Sequence, residues 1–62
     1  MVIKDLFESV KGLPDQLNVI DEDGNHLWVG NYQRTPEEIK MLGFKEAYIK
    51  NWGDNYQVIF YI

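Results

Sequence analysis

The single histidine, His26, is the only side chain in this 62-residue sequence of the type most often used for proton transfer near neutral pH. The sequence has no cysteine, and Ser9 falls on a predicted helix rather than in a recognisable nucleophile setting. Asp21 could approach His26 across a turn, but a histidine beside a carboxylate is common on protein surfaces. The sequence therefore predicts no catalytic site, and we do not expect an enzyme.

The acidic run Asp21-Glu22-Asp23-Gly24 has the composition of a calcium loop. An EF-hand loop needs oxygen ligands at positions 1 and 12 around a glycine at position 6. Aligned on Gly24, those two positions hold Val19 and Gly30, so the pattern fails and predicts a hairpin turn instead. With no cysteine and one histidine, a structural zinc is excluded as well. No metal and no cofactor are predicted.

Composition and charge describe a small, folded, acidic protein. The chain is long enough for one domain, residues 1–62, and its 15% aromatic content argues against disorder. Ten acidic residues stand against six basic ones, a net charge of -4, which disfavours nonspecific binding to a phosphate backbone. No apolar run is long enough to cross a membrane. Charge near the first residues, where a signal peptide has an apolar core, favours a cytoplasmic location.

The first half of the chain is predicted to form a helix followed by a hairpin. Apolar residues at three- and four-residue spacing predict a helix over residues 3–11. A two-residue hairpin loop would set Val19 opposite Trp28, whereas a three-residue loop, residues 22–24, sets Val19 opposite Leu27. We prefer the second, because it gathers four aliphatic side chains, Leu17, Val19, Leu27 and Val29, on the core face and gives Gly24 the left-handed position. It places Trp28 on the other face.

The second half repeats this order. Thr35-Pro36-Glu37-Glu38 has the N-cap, proline and glutamate of a capping box and predicts a short helix. Segments 45–52 and 55–62 predict a second hairpin, in which a two-residue Gly53-Asp54 loop sets Ala47 opposite Phe60. The uncharged stretch 56–62 is the most strongly β-forming of the chain and must be buried in a sheet.

The fold class that follows is α+β, in the order α-β-β-α-β-β. We expect an antiparallel-type sheet of about four strands with the two short helices on one face. Both helices are needed over the aliphatic face, so the second face of the sheet is expected to be open.

That second face gathers aromatic side chains, which marks a contact surface on a small domain. The predicted partner-binding residues are Ile20, Trp28, Tyr48, Lys50, Trp52, Ile59 and Tyr61. Two alternatives stay open: a register that is wrong by one residue would swap the faces, and residues 30–34 could fold over part of the surface.

The sequence thus predicts a small acidic protein-interaction module, of the general kind carried as accessory proteins by bacteria or their phages. Its partner is a second copy, giving a homodimer, or another protein; a marginal core of this size favours self-association. The alternative is single-stranded nucleic acid stacked on the same aromatic face, against which the scarcity of basic residues argues.

Overall fold

A computed structural model describes residues 1–62, apart from the side chain of Trp52. The predicted order of elements is confirmed. In chain order they are helix α1 (Ile3–Ser9), strands β1 (Gln16–Ile20) and β2 (His26–Asn31), a 3-10 turn (Tyr32–Arg34), helix α2 (Glu37–Lys40), and strands β3 (Glu46–Trp52) and β4 (Asn55–Tyr61).

The four strands form one mixed sheet in the order β2-β1-β4-β3. Each hairpin is antiparallel, but β1 and β4 pair in parallel, with Leu17 beside Val58 and Val19 beside Phe60. The expected antiparallel-type sheet is therefore wrong at this central pair. The reason is that β4, the most apolar strand, takes an interior position between β1 and β3, where both its edges are paired and its Val58 and Phe60 side chains are buried.

The first hairpin has the predicted loop but not the predicted register. Asp21 and Gly24 close a turn through a 3.1 Å backbone hydrogen bond, and Gly24 has the positive φ of 86° that the three-residue loop requires. Ile20 is accordingly opposite His26. A β-bulge at Leu27 then inserts one extra residue into β2. From that point to the end of the strand, every side chain of β2 lies on the face opposite to the predicted one.

Trp28 consequently lies opposite Val19 and packs against the buried core. Gly30, which lies opposite Leu17, provides the space for it: a Cβ at Gly30 would be 3.3 Å from the indole ring of Trp28. The predicted location of Trp28 on the open face is wrong, because the bulge at Leu27 reverses the alternation and the glycine accepts the ring.

The second hairpin has the predicted register, with Ala47 opposite Phe60 and Ile49 opposite Val58. Gly53 has a φ of 66°, as the first residue of a type II′ loop requires. The predicted capping box of α2 is not formed. The hydroxyl of Thr35 instead donates to the carbonyl of Asn31, 3.0 Å away, and so closes the 3-10 turn that precedes α2.

The core lies between the sheet and the two helices. Its buried centre is one helical side chain, Ile3, and two pairs from the central strands, Leu17 with Val19 and Val58 with Phe60. Side chains of α1, α2 and the connecting segments surround this centre, so both helices cover the same face, as predicted. The buried state of Val58 and Phe60 agrees with the expectation that the last strand is enclosed.

One aromatic contact and one ion pair hold the helical layer in place. Phe7 stacks on Tyr32, with 4.1 Å between ring centroids, and burial raises the pKa of Tyr32. Lys4 on α1 donates to Glu37 on α2 across 3.1 Å, and this hydrogen bond raises the pKa of Lys4. Both groups of that pair are largely exposed, so it orients the helices more than it stabilises them.

Candidate docking face

We call the side of the sheet away from the helices the open face. Its side chains fall into two rows that cross all four strands. The first row, from β2 to β3, is Val29, Asn18, Ile59 and Tyr48. The second row is His26, Ile20, Tyr61 and Glu46. Lys50 follows on β3, opposite Gln57.

The exposed part of the open face combines apolar and aromatic side chains with the polar His26, Glu46 and Lys50. Val29 is 52% exposed, Tyr48 49% and Tyr61 37%. Between them, at the centre of the first row, Ile59 is only 4% exposed. The neighbouring side chains therefore already cover the middle of the face, and a partner would contact its raised margins on β2 and on β3 with β4.

Tyr48 and Tyr61 form the aromatic margin. Their rings meet edge to face, with centroids 5.9 Å apart and an interplanar angle of 76°, the arrangement that the ring quadrupoles favour. The hydroxyl of Tyr48 donates to Glu46 Oε2 across 2.7 Å. This hydrogen bond, together with the carboxylate charge, raises the pKa of Tyr48. The two rings are thus held in one orientation while remaining largely exposed.

His26 occupies the β2 end of the second row. Its Nδ1 lies 2.8 Å from Oδ1 of Asn18, a nearly buried side chain of β1. The predicted approach of Asp21 to His26 is not what the turn shows. The Asp21 carboxylate instead accepts from the backbone N–H groups of Asp23 and Asn25, both at 2.9 Å. Asp21 therefore stabilises the turn of the hairpin.

Within residues 1–62, leaving aside the Trp52 side chain, no group of three or more His, Cys, Asp or Glu is arranged to hold a metal ion. Neither helix of the described chain has the length and apolar character needed to span a bilayer.

Five of the seven predicted partner-binding residues share the open face. These are Ile20, Tyr48, Lys50, Ile59 and Tyr61. Of the remaining two, Trp28 is on the helix-covered face. The side chain of Trp52 lies outside the described residues. Among the five, Ile59 is buried and supports the surface rather than contributing area to it.

The sequence reasoning missed the contribution of β2 to this face. It assigned Val29 and Leu27 to the core, whereas both are exposed, at 52% and 43%. A signal was present in the residues themselves. Trp28 and Gly30 are two apart and share one face of the strand, and a glycine beside a large ring offers space that an aliphatic neighbour would fill.

Comparison with known proteins adds no relative: no family model, no curated protein sequence and no solved structure matches this chain.

Proposed function

We propose that this chain is a small acidic protein-interaction module that docks a protein partner on the open face and has no catalytic role. The observation that carries the proposal is the pair of exposed apolar margins on that face, Val29 on β2 and Tyr61 with Tyr48 on β4 and β3. Exposed apolar and aromatic surface on a small domain is characteristic of a contact site.

The rigidity of the aromatic margin, Tyr48 and Tyr61, supports the same function. Binding orders side chains at an interface, and each ordered side chain costs about 0.5–1.5 kcal/mol. The Tyr48 ring is already fixed by Tyr61 and by its hydrogen bond to Glu46, so that cost is reduced. Tyrosine also supplies a large contact area with few rotatable bonds, which is why it is enriched in binding hot spots.

The experiment uses two double variants with the same pair of substitutions. Val29→Ser with Tyr61→Ser removes apolar area from the open face. Val10→Ser with Tyr56→Ser removes it elsewhere, from residues that are 42% and 56% exposed. A partner is isolated with the wild-type chain as bait, purified, and titrated against all three proteins by calorimetry.

We expect the open-face variant to bind the purified partner at least about tenfold more weakly and the control variant to bind as the wild type does. Circular dichroism establishes that both variants fold. Equal binding by the three proteins would refute the open face as the docking site.

The second candidate, a single-stranded nucleic acid binder, is weakened by the position of Trp28. Base stacking needs exposed rings, and the helix-covered indole leaves Tyr48 and Tyr61 as the described rings of the open face. Titration with an oligonucleotide at low and high salt, followed by the ring NMR signals of the two tyrosines, tests it. Salt-sensitive shifts of those rings would favour nucleic acid over a protein partner.

A further inference from the structure

The outer edge of strand β3 is the second surface of interest. β3 ends the sheet and pairs only with β4. Over the described residues, no backbone hydrogen bond reaches its other edge. Its seven residues pair with β4 without a register shift and include no proline. Such an edge presents a row of free N–H and C=O groups to another strand.

The opposite edge of the sheet differs. The bulge at Leu27 disrupts β2, and bulges are one of the devices by which proteins make an edge unsuitable for pairing. The β3 edge lacks that device and carries two charges on the open face, Glu46 and Lys50. Lysine on an edge strand opposes pairing, but a glutamate four residues away on the same face changes that expectation.

We infer that β3 pairs with β3 of a second copy of this chain, antiparallel about a twofold axis that passes through Tyr48. An axis perpendicular to the sheet keeps the helices of both copies on one side, so residues pair only with residues of the same face. With the axis at Tyr48, Glu46 of each copy lies opposite Lys50 of the other. Each of the two charges then lies opposite one charge of the other sign, which gives two such pairs in the dimer.

The neighbouring registers do not achieve this match. An axis at Lys50 sets two lysines opposite each other. An axis at Lys45, or at a residue after Lys50, leaves few residues paired. An axis at Ile49 sets Lys50 opposite Tyr48 and leaves Glu46 without a basic partner. An axis at Ala47 sets Glu46 opposite Tyr48. The charges of this edge therefore select one register rather than prevent pairing.

The pairing at Tyr48 also joins the two open faces. Tyr48 lies beside its own copy across the axis, and each Tyr48 already contacts Tyr61 within its chain. On the helix-covered side, Ala47 lies opposite Ile49, whose side chain is 57% exposed in the single chain. The result is an eight-stranded sheet with one continuous aromatic band, which buries an exposed isoleucine.

The β3 dimer does not depend on the proposed function. The experiment on the open face substitutes Val29 and Tyr61, and neither residue is on β3. An interface of one strand pair is at the small end of specific interfaces, below roughly 1,200 Å². We therefore expect dissociation in the micromolar range, measurable by sedimentation equilibrium across protein concentrations.

Charge reversal tests the register. Lys50→Glu sets carboxylates opposite each other and should weaken the dimer by about tenfold, and Glu46→Lys should do the same. The double variant, Glu46→Lys with Lys50→Glu, restores both pairs and should return dimerisation to about the wild-type level. Lys45→Glu, with the same change of net charge, has no charged residue opposite it in this register and is the control.

Single cysteines test the axis without relying on charge, and the chain has no cysteine of its own. Directly opposed residues have Cβ atoms roughly 5 Å apart, so under mild oxidation Tyr48→Cys should form the interchain disulfide faster than Ala47→Cys, Ile49→Cys or Lys50→Cys.

A monomeric wild type at all concentrations would overturn the inference. Fastest crosslinking at a residue other than 48, or failure of the double charge variant to restore the dimer, would also overturn it.

Discussion

Trp28 lies directly opposite Val19, on the side of the sheet that the helices cover. The pairing follows from one extra residue in β2, at Leu27, and from the absence of a side chain at Gly30. It decides which residues the sheet offers to a partner, because it removes an indole from the open face and puts Val29 there instead.

The indole N–H of Trp28 offers a direct measure of this arrangement. Its Nε1 is buried and has no hydrogen-bond partner among the described residues. We predict that this proton exchanges with solvent far more slowly than a free indole, because exchange requires the ring to leave the core. Hydrogen exchange by NMR checks it in a Trp52→Phe background, which leaves a single indole signal. Free-indole exchange rates would contradict the inward position.

The Gly30→Ala variant should be destabilised by about 1–3 kcal/mol, because its Cβ would lie 3.3 Å from the Trp28 ring and because residues with a side chain rarely adopt the φ of 159° at this position. The matched control is Gly43→Ala, where the nearest atom, the Met1 carbonyl oxygen, is 3.9 Å from the added carbon. That control should change stability by no more than about 0.5 kcal/mol. Urea unfolding measures both free energies, and equal effects would argue against close packing of Trp28 on Gly30.

The contact between His26 and Asn18 should fix the tautomer of the imidazole. Because Oδ1 of Asn18 lies 2.8 Å from Nδ1, we predict that the neutral ring carries its proton on Nδ1. Asn18→Ala should abolish this preference, while Asn25→Ala, a change in the adjacent turn, should leave it intact. The ¹⁵N chemical shifts of the imidazole distinguish the tautomers. A wild-type ring protonated on Nε2 would show that the hydrogen bond does not form.

The hydrogen bond from Tyr48 to Glu46 should make stability depend on pH in the alkaline range. The pKa of Tyr48 in the folded chain is raised, above all by this hydrogen bond and then by the carboxylate charge. Because the pKa of Tyr48 is raised in the folded chain, the stability that the hydrogen bond contributes is complete below the ordinary tyrosine pKa of about 10. It is lost as the pH rises through the pKa of Tyr48 in the folded chain. Glu46→Gln should therefore lower the pKa of Tyr48 and reduce the alkaline loss of stability.

An NMR titration of the Tyr48 ring measures the first effect, and urea unfolding between about pH 8 and 11 measures the second. Glu22→Gln, the same charge change on the hairpin turn, is the control and should leave the titration of Tyr48 unaltered. A Tyr48 titration that is equal in the wild type and in Glu46→Gln would contradict the hydrogen bond.

Local sequence signals were sufficient to predict the two helices, the four strands and both hairpin loops. The turn at Asp21 to Gly24 and the register of the second hairpin follow from residue chemistry that acts over a few positions. The predicted capping box does not form, because the Thr35 hydroxyl donates to the carbonyl of Asn31 in the preceding turn. That competition depends on a 3-10 turn that the sequence reasoning did not foresee.

Two features depend on contacts between distant residues and were beyond local reasoning. The parallel pairing of Leu17 with Val58 joins the two hairpins, and neither hairpin alone specifies it. The bulge at Leu27 is stabilised by the fit of Trp28 to Gly30 and to the core, so it depends on the assembled sheet. The predicted face is correct for five of the seven site residues, because no bulge interrupts the pairing of β1, β4 and β3, the strands that carry them.

The central parallel pair has a consequence for how the chain folds. β1 and β4 are far apart in sequence, so their contact can form only after a long intervening segment has been closed into a loop, which is entropically unfavourable. Each hairpin can form early, yet each has an apolar strand unpaired along one side until the two meet. We therefore expect the docking of β1 on β4 to limit the refolding rate, and substitutions at Leu17 or Val58 to slow refolding more than substitutions at the outer strands.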